Sequence, residues 1–252
     1  MTIETGMPFP KEEYAQLLKD FYADINGPDS FDPVKNWQSD KWSAAVECSR
    51  GKILEKAGFS LRHLVGGTIN EEPATIKLFE TLIYPANPRI PGLIIMTNTN
   101  KTDTTGTIVV FYTDLIIQDG MDHEEEKELF ATTVKNICEE HGHSIEEHKA
   151  LLPGRGLLGG SSGECGILNF FEEKDIPFLE DLIKGVIPAY RKILTSTKHE
   201  DSHREDYEKM HQSRARLIEW IILEDYGVKV ARDNGIPLEV IEAYAFPPAI
   251  RY

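Results

Sequence analysis

Apolar side chains recur at helical spacing over Lys11–Ile25 (KEEYAQLLKDFYADI), and Gly27-Pro28 closes that segment. From Trp42 to Asn98 the pattern changes to short apolar or alternating runs: Ser43–Cys48, Lys52–Glu55, Leu61–Val65, Ile76–Pro85 and Gly92–Asn98. Gly51, Gly58, Gly66-Gly67 and a proline-rich stretch (Pro85, Pro88, Pro91) punctuate them as turns do between antiparallel strands. Thr107–Ile117 (TIVVFYTDLII) is the strongest strand, being rich in β-branched and aromatic residues. Asp122 with Glu125 then predicts a capping box. The helix it starts carries Phe130, Val134, Ile137 and Cys138 on one face and ends near Gly142. Gly166–Phe171 reads as a further strand. Ile176–Leu194 reads as an amphipathic helix with Leu179, Ile183, Val186, Ile187, Tyr190 and Leu194 in register. Thr195–Arg204 is polar, and a last helix runs from Tyr207 to Leu223 until Gly227 stops it. Strands in a run, then helices, predict an α+β fold with an antiparallel sheet covered by helices. Residues 1–252 form one domain in this reading, with 1–34 as N-terminal helix and lead-in.

Charge narrows the partners. The chain has 27 Lys+Arg against 42 Asp+Glu, a net charge of −15. Such a surface repels phosphate backbones and anionic lipid heads, so neither nucleic acid nor membrane is an expected partner. Cys48, Cys138 and Cys165 are an odd set without metal-type spacing. With no signal peptide and no apolar run near 18 residues, they imply free thiols in a reducing, cytoplasmic setting.

Three motif matches lack the context their chemistry needs. Gly154–Gly159 (GRGLLG) fits the dinucleotide pattern G-x-G-x-x-G, but no strand delivers it and no helix follows. Gly159–Gly163 (GGSSG) fits the nucleophile elbow G-x-S-x-G, yet a strand follows where a helix is required. His199–His203 (HEDSH) fits the zinc motif H-E-x-x-H, but has no apolar residues to dock that turn against a core. No metal is therefore expected. His141 and His143 are placed to cap helix carbonyls, and His63 reads as a half-buried strand residue.

Several segments, taken in order, resemble the oxygen-dependent coproporphyrinogen oxidase family. Gly51–Ser60 (GKILEKAGFS) is similar to that family's G-x-V-F-E-K-A-G-V-N-x-S signature, with Trp42 upstream as its tryptophan is. Tyr84–Pro91 (YPANPRIP) resembles its H-P-x-N-P-x-x-P turn, and Thr113-Asp114-Leu115 falls at its D-L-T-P strand end. Asn169–Glu173, Ile187–Tyr190 (IPAY), His211–Glu219 (HQSRARLIE) and Phe246–Tyr252 (FPPAIRY) resemble later family segments. The resemblance covers residues 35–252. It implies a large, mostly antiparallel sheet with helices on both faces, a fold shared with the ferredoxin-dependent bilin reductases. It also implies a homodimer that uses neither metal nor organic cofactor and, in the family, oxidative decarboxylation of coproporphyrinogen with molecular oxygen.

Departures from the family redirect the chemistry. The H-x-N-x-R strand aligns with Ile94, Met96 and Asn98, and the glycine tract before the signature is Ser43–Glu47. Glu164 stands in place of an arginine, and the C-terminal G-G-R falls on Asn234–Leu238. Asp114, Arg214, Arg216 and Glu219 survive. Strand side chains alternate faces, so Val110, Tyr112 and Ile116 share the cleft side of Asp114, facing Ile94, Met96 and Asn98. A tetracarboxylate needs several cations, because an unpaired buried carboxylate costs several kcal/mol. The expected pocket instead suits a neutral hydrophobic small molecule. Asp114 and Tyr112 are the expected catalytic pair, with Ile94, Met96, Asn98, Val110, Ile116, Arg214 and Arg216 binding substrate. Cofactor-free cyclisation or isomerisation in specialised metabolism is the leading expectation. Oxidative decarboxylation of a porphyrinogen, and non-catalytic tetrapyrrole or lipid carriage, are the alternatives.

Overall fold

The computed structural model describes residues 5–152, 162–197 and 201–250. Among these, seven strands form one sheet in chain order, each antiparallel to the next. They are β1 (Lys35–Gln38), β2 (Trp42–Ser49), β3 (Leu54–Ile69), β4 (Glu72–Pro85), β5 (Gly92–Thr102), β6 (Gly106–Ile116) and β7 (Ile167–Phe171). Helices α1 (Glu13–Asn26), α2 (Glu124–Glu140) and α4 (Ile176–Thr197) build one apolar cluster with the sheet, around Phe21, Phe59, Phe79, Phe111, Phe130 and Tyr190. The short α3 (Ile145–Lys149) lies beside β7. On the other face α5 (Arg204–Leu223), α6 (Tyr226–Asp233) and α7 (Leu238–Ala245) meet Leu64, Ile76, Leu82 and Ile94. This is the expected α+β sandwich. No helix among the described residues is long and apolar enough to cross a membrane.

Three local expectations are corrected. Gly58 marks no turn, because β3 runs unbroken through it. A Cβ there would lie 2.8 Å from Cys48 Sγ and 3.0 Å from Tyr244 Cα, so the glycine lets α7 press onto the sheet. The capping box at Asp122 and Glu125 does not form. The helix starts at Glu124, whose N–H donates to Asp122 Oδ1 at 3.1 Å. Gly227 does not end the helical region either; it sits inside α6, whose cap is Asp225.

Helix C-termini leave carbonyls without intrahelical partners. At α7 the sheet supplies the donors. Lys56 Nζ reaches Glu242 O at 3.2 Å and Phe246 O at 2.6 Å, Tyr84 hydroxyl donates to Ala245 O, and Cys48 Sγ donates to Ala243 O. Burial depresses the Lys56 ammonium to about 8. Arg214 fastens α5 in the same way, donating to Glu55 Oε2 at 2.7 Å and to Pro85 O at 2.9 Å.

Gly58→Ala is expected to push α7 from the sheet and cost about 1–3 kcal/mol, as overpacking does. Urea unfolding checks this, and an unchanged midpoint would show that α7 can retreat freely.

Candidate functional site

The two faces of the sheet are filled differently. The face under α1, α2 and α4 is packed with aromatic and aliphatic side chains. The face under α5, α6 and α7 encloses a cavity of about 420 Å³. Its floor follows from strand register. Arg62, Leu78, Asn98, Val110 and Phe170 pair in one row across β3 to β7. Glu80, Met96, Tyr112 and Leu168 form the next row, and Leu82 and Ile94 belong to a third. With strands ~4.8 Å apart, the floor is roughly 19 Å across. Leu217, Trp220, Ile221, Val228, Ala231, Ile241 and Tyr244 form the roof.

The expected cavity residues Ile94, Met96, Asn98, Val110, Tyr112 and Ile116 all line this space. The Tyr112 hydroxyl makes no hydrogen bond among the described residues, and burial raises its pKa, keeping it a neutral donor. The Asn98 amide donates to Met96 Sδ at 3.3 Å, while its Oδ1 is buried without a partner. His63, expected to be half-buried, is fully buried and lies in the wall.

Asp114, Arg214 and Arg216 are not in the wall. Asp114 projects to the expected face, opposite Ile94, but the chain after residue 161 folds over it. Its carboxylate accepts from Ser162 Oγ at 2.7 Å and from the N–H groups of Leu115, Glu164, Cys165 and Gly166 at 2.9–3.1 Å. Glu164, at φ 54°, turns the backbone so that these groups converge. Cys165 Sγ donates to Oδ1 at 3.2 Å, the oxygen that also accepts from Leu115, Cys165 and Gly166 N–H, while Ser162 and Glu164 donate to Oδ2. Asp114 therefore organises a turn. Arg214 is consumed by Glu55 and Pro85, and Arg216 lies outside the cavity against Asp119 at 3.1 Å.

The ionisable groups of the wall were not expected from the sequence. Arg62 Nη2 donates to Glu80 Oε2 at 2.5 Å and to the Tyr244 hydroxyl at 2.7 Å, and that hydroxyl donates to the same Glu80 oxygen. Asp225, the cap of α6, accepts from Val228 N at 2.7 Å. Withdrawal from water, reinforced by the Glu80 charge, pushes its carboxyl up to about 6. Strand alternation was the available signal: Glu80 and Arg62 interrupt the apolar set of the cavity face. Among the described residues the acidic lining side chains are Glu80, Glu224 and Asp225, and the basic ones are Arg62 and His63.

No group of three or more potential metal-binding side chains occurs among the described residues. GRGLLG, most of GGSSG and the first two residues of HEDSH lie outside them. Cys48, Cys138 and Cys165 are buried free thiols. His141 pairs with Asp181 at 2.9 Å, and His143 stacks on Phe178 and bonds to His148.

Fold and site together define a sheet-and-helix sandwich with a largely apolar chamber on one sheet face. No family model matches the chain. Among curated proteins it is similar to the mitochondrial oxygen-dependent coproporphyrinogen-III oxidase of mouse, with 24% identity, over 86% of this chain and 56% of that one. The chain thus spans about half the length of that relative. Among solved structures it is similar to tomato phytochromobilin synthase in complex with biliverdin, with a TM-score of 0.58 and 11% identity, over 91% of this chain and 83% of that one. The scaffold is coproporphyrinogen oxidase-like and strongly diverged, and both relatives are named as enzymes.

Asp114→Asn should lower stability by about 2–4 kcal/mol, since a buried carboxylate accepting several donors is replaced by a group that can satisfy fewer of them. Binding of the neutral fluorophore N-phenyl-1-naphthylamine, corrected for folded fraction, should be unchanged. Lost binding in a fully folded variant would return Asp114 to the cavity.

Proposed function

We propose that the chain is an enzyme that orders a neutral hydrophobic small molecule on its sheet and promotes cyclisation or isomerisation by giving it one proton and taking one back, without metal or organic cofactor. The supporting observation is the charge of the cavity wall. Among the described residues its one guanidinium, Arg62, is bound to Glu80, and His63 is the other basic side chain, too few cations to clamp several carboxylates. Buried carboxylates without partners cost several kcal/mol each, which disfavours a porphyrinogen bearing four.

The wall offers groups for each part of the reaction. Apolar rows on floor and roof fold a flexible substrate into a reactive shape, which lowers the entropic part of the barrier. Tyr112 donates a hydrogen bond to a substrate oxygen. Asp225, with its pKa near 6, is the proton donor in place of Asp114. Glu80 is held by Arg62 and Tyr244, and its negative charge stabilises positive charge developing on the substrate. A proton delivered by Asp225 is returned from the cyclised cation to the same carboxylate, so no oxidant is consumed.

Oxidation of a porphyrinogen with oxygen is the second reading, favoured by similarity to the mouse oxidase. Purified protein free of added metal and flavin should be offered neutral polyenes and anaerobically prepared coproporphyrinogen plus oxygen. Conversion of a polyene with no oxygen uptake is the expected result. Robust oxygen-dependent decarboxylation would overturn it.

The raised pKa of Asp225 has a definite sign. A carboxyl whose folded pKa lies above its unfolded value stabilises the fold at low pH, and that contribution is lost as pH rises through about 6. Asp225→Asn keeps the helix cap, so it should raise the melting temperature at pH 8 more than at pH 5.5. Its turnover should fall by roughly 10²–10⁴. Equal stability at both pH values with unchanged turnover would remove Asp225 from the mechanism.

A further inference from the structure

α6 and α7 roof the same cavity, but they are fastened in different ways. α7 is fixed by Lys56, Tyr84 and Cys48, side chains of three neighbouring strands. α6 is held at both ends by one hairpin turn. At its C-terminal end, Asn234 Oδ1 accepts from Thr68 N at 2.7 Å, and its Nδ2 donates to Thr68 O at 2.9 Å. At its N-terminal end, the Tyr226 hydroxyl donates to Asn70 Oδ1 at 2.9 Å. The bonds to Tyr226 and Asn234 are both exposed. Asn70 and Glu71 have φ of 49° and 70°, forming the tight turn between β3 and β4. Gly67 allows Asn234 to approach, since a Cβ there would lie 2.5 Å from its Oδ1.

The segment is also short, carries glycine near both ends and is little buried. Gly227 lies in its first turn, and Gly235, at φ 74°, lies just beyond its end. Of its residues only Ala231 is fully buried, and Tyr226 is 55% exposed. Yet Tyr226, Gly227, Val228, Val230 and Ala231 all line the cavity, and so does exposed Phe170 across the mouth.

We infer that α6 is a lid latched to the β3–β4 turn by Asn234 and Tyr226, and that its closure carries Asp225 into the cavity beside Glu80. Asp225 is the cap of this helix, bonded to Val228 N, so the carboxylate travels with the lid. An open lid admits the ligand and leaves the acid in water. A closed lid excludes water and completes the polar end of the chamber. The inference rests on the cavity being the ligand site, and the test separates the two.

Hydrogen exchange of the full chain, measured without ligand, reports on α6 directly. Its amides should exchange by local opening, ahead of those in β4 and β5 and with little dependence on dilute urea. Asn234→Ala removes both bonds to Thr68. It should speed α6 exchange, and both association and dissociation of N-phenyl-1-naphthylamine, by on the order of tenfold. The equilibrium affinity should change much less than either rate. Lys135→Ala, at an exposed position of α2 across the sheet, should leave both probe rates unaltered. Exchange of α6 only together with the sheet, with probe rates unmoved by Asn234→Ala, would overturn the lid. A probe that fails to bind the wild-type chain would overturn the cavity reading, while α6 exchange would still decide whether the lid opens.

Discussion

The chamber depends on how α7 meets the sheet. A helix ending over a buried surface must find donors for its last carbonyls, because each one left unmade costs about 1–3 kcal/mol. Lys56, Tyr84 and Cys48 provide them from β3, β4 and β2. Gly58 removes the Cβ that would stand between helix and sheet. This seats Tyr244 where its hydroxyl meets both Arg62 and Glu80. With α7 displaced, the pair would lose the hydroxyl that accepts from Arg62 and donates to Glu80. The roof over the floor rows would also lift.

The residues that carried the family resemblance are mostly parts of this frame. Glu55 pairs with Arg214, Lys56 caps α7, and Gly58 permits the close approach. Tyr84 and Pro85 receive or supply bonds to α7 and α5, and Pro91 O accepts from Tyr190 of α4. A resemblance resting on such residues reports how the sandwich is bolted together. It is silent on what the chamber holds, which is set by side chains on alternate strand positions.

That division explains what could be read from the chain beforehand. Strands were visible through their β-branched and aromatic content, and the inward row Ile94, Met96, Val110, Tyr112 followed from alternation once the family resemblance had set Asp114 and the Ile94 strand on the cleft face. Asp114 was assigned to the correct face. Its partners, however, come from residues 162–166, and strand periodicity does not show where a later loop crosses. The eight-residue α6 and α7 escaped notice because each is little more than two turns long, and Gly227 read as a breaker. The cluster of Arg62, Glu80, Asp225 and Tyr244 joins β3, β4, the α5–α6 junction and α7. No local pattern links positions so far apart. The usable sign was two ionisable residues in the inward register of otherwise apolar strands.

Placing the acid on the helix that roofs the cavity has a chemical consequence. A carboxyl fixed deep in an apolar chamber would hold its proton too tightly to give it up. One fixed at the surface would remain ionised and could donate nothing at neutral pH. Asp225 sits at the junction of α5 and α6, where burial and the Glu80 charge raise its pKa. Glu80 is different: Arg62 and Tyr244 donate to it from the sheet and from α7, independently of α6. One group in the pair therefore has its pKa raised by burial, and the other is held by two hydrogen-bond donors. That asymmetry suits a reaction in which a proton must be given to the substrate while a neighbouring negative charge stays in place to receive the cation.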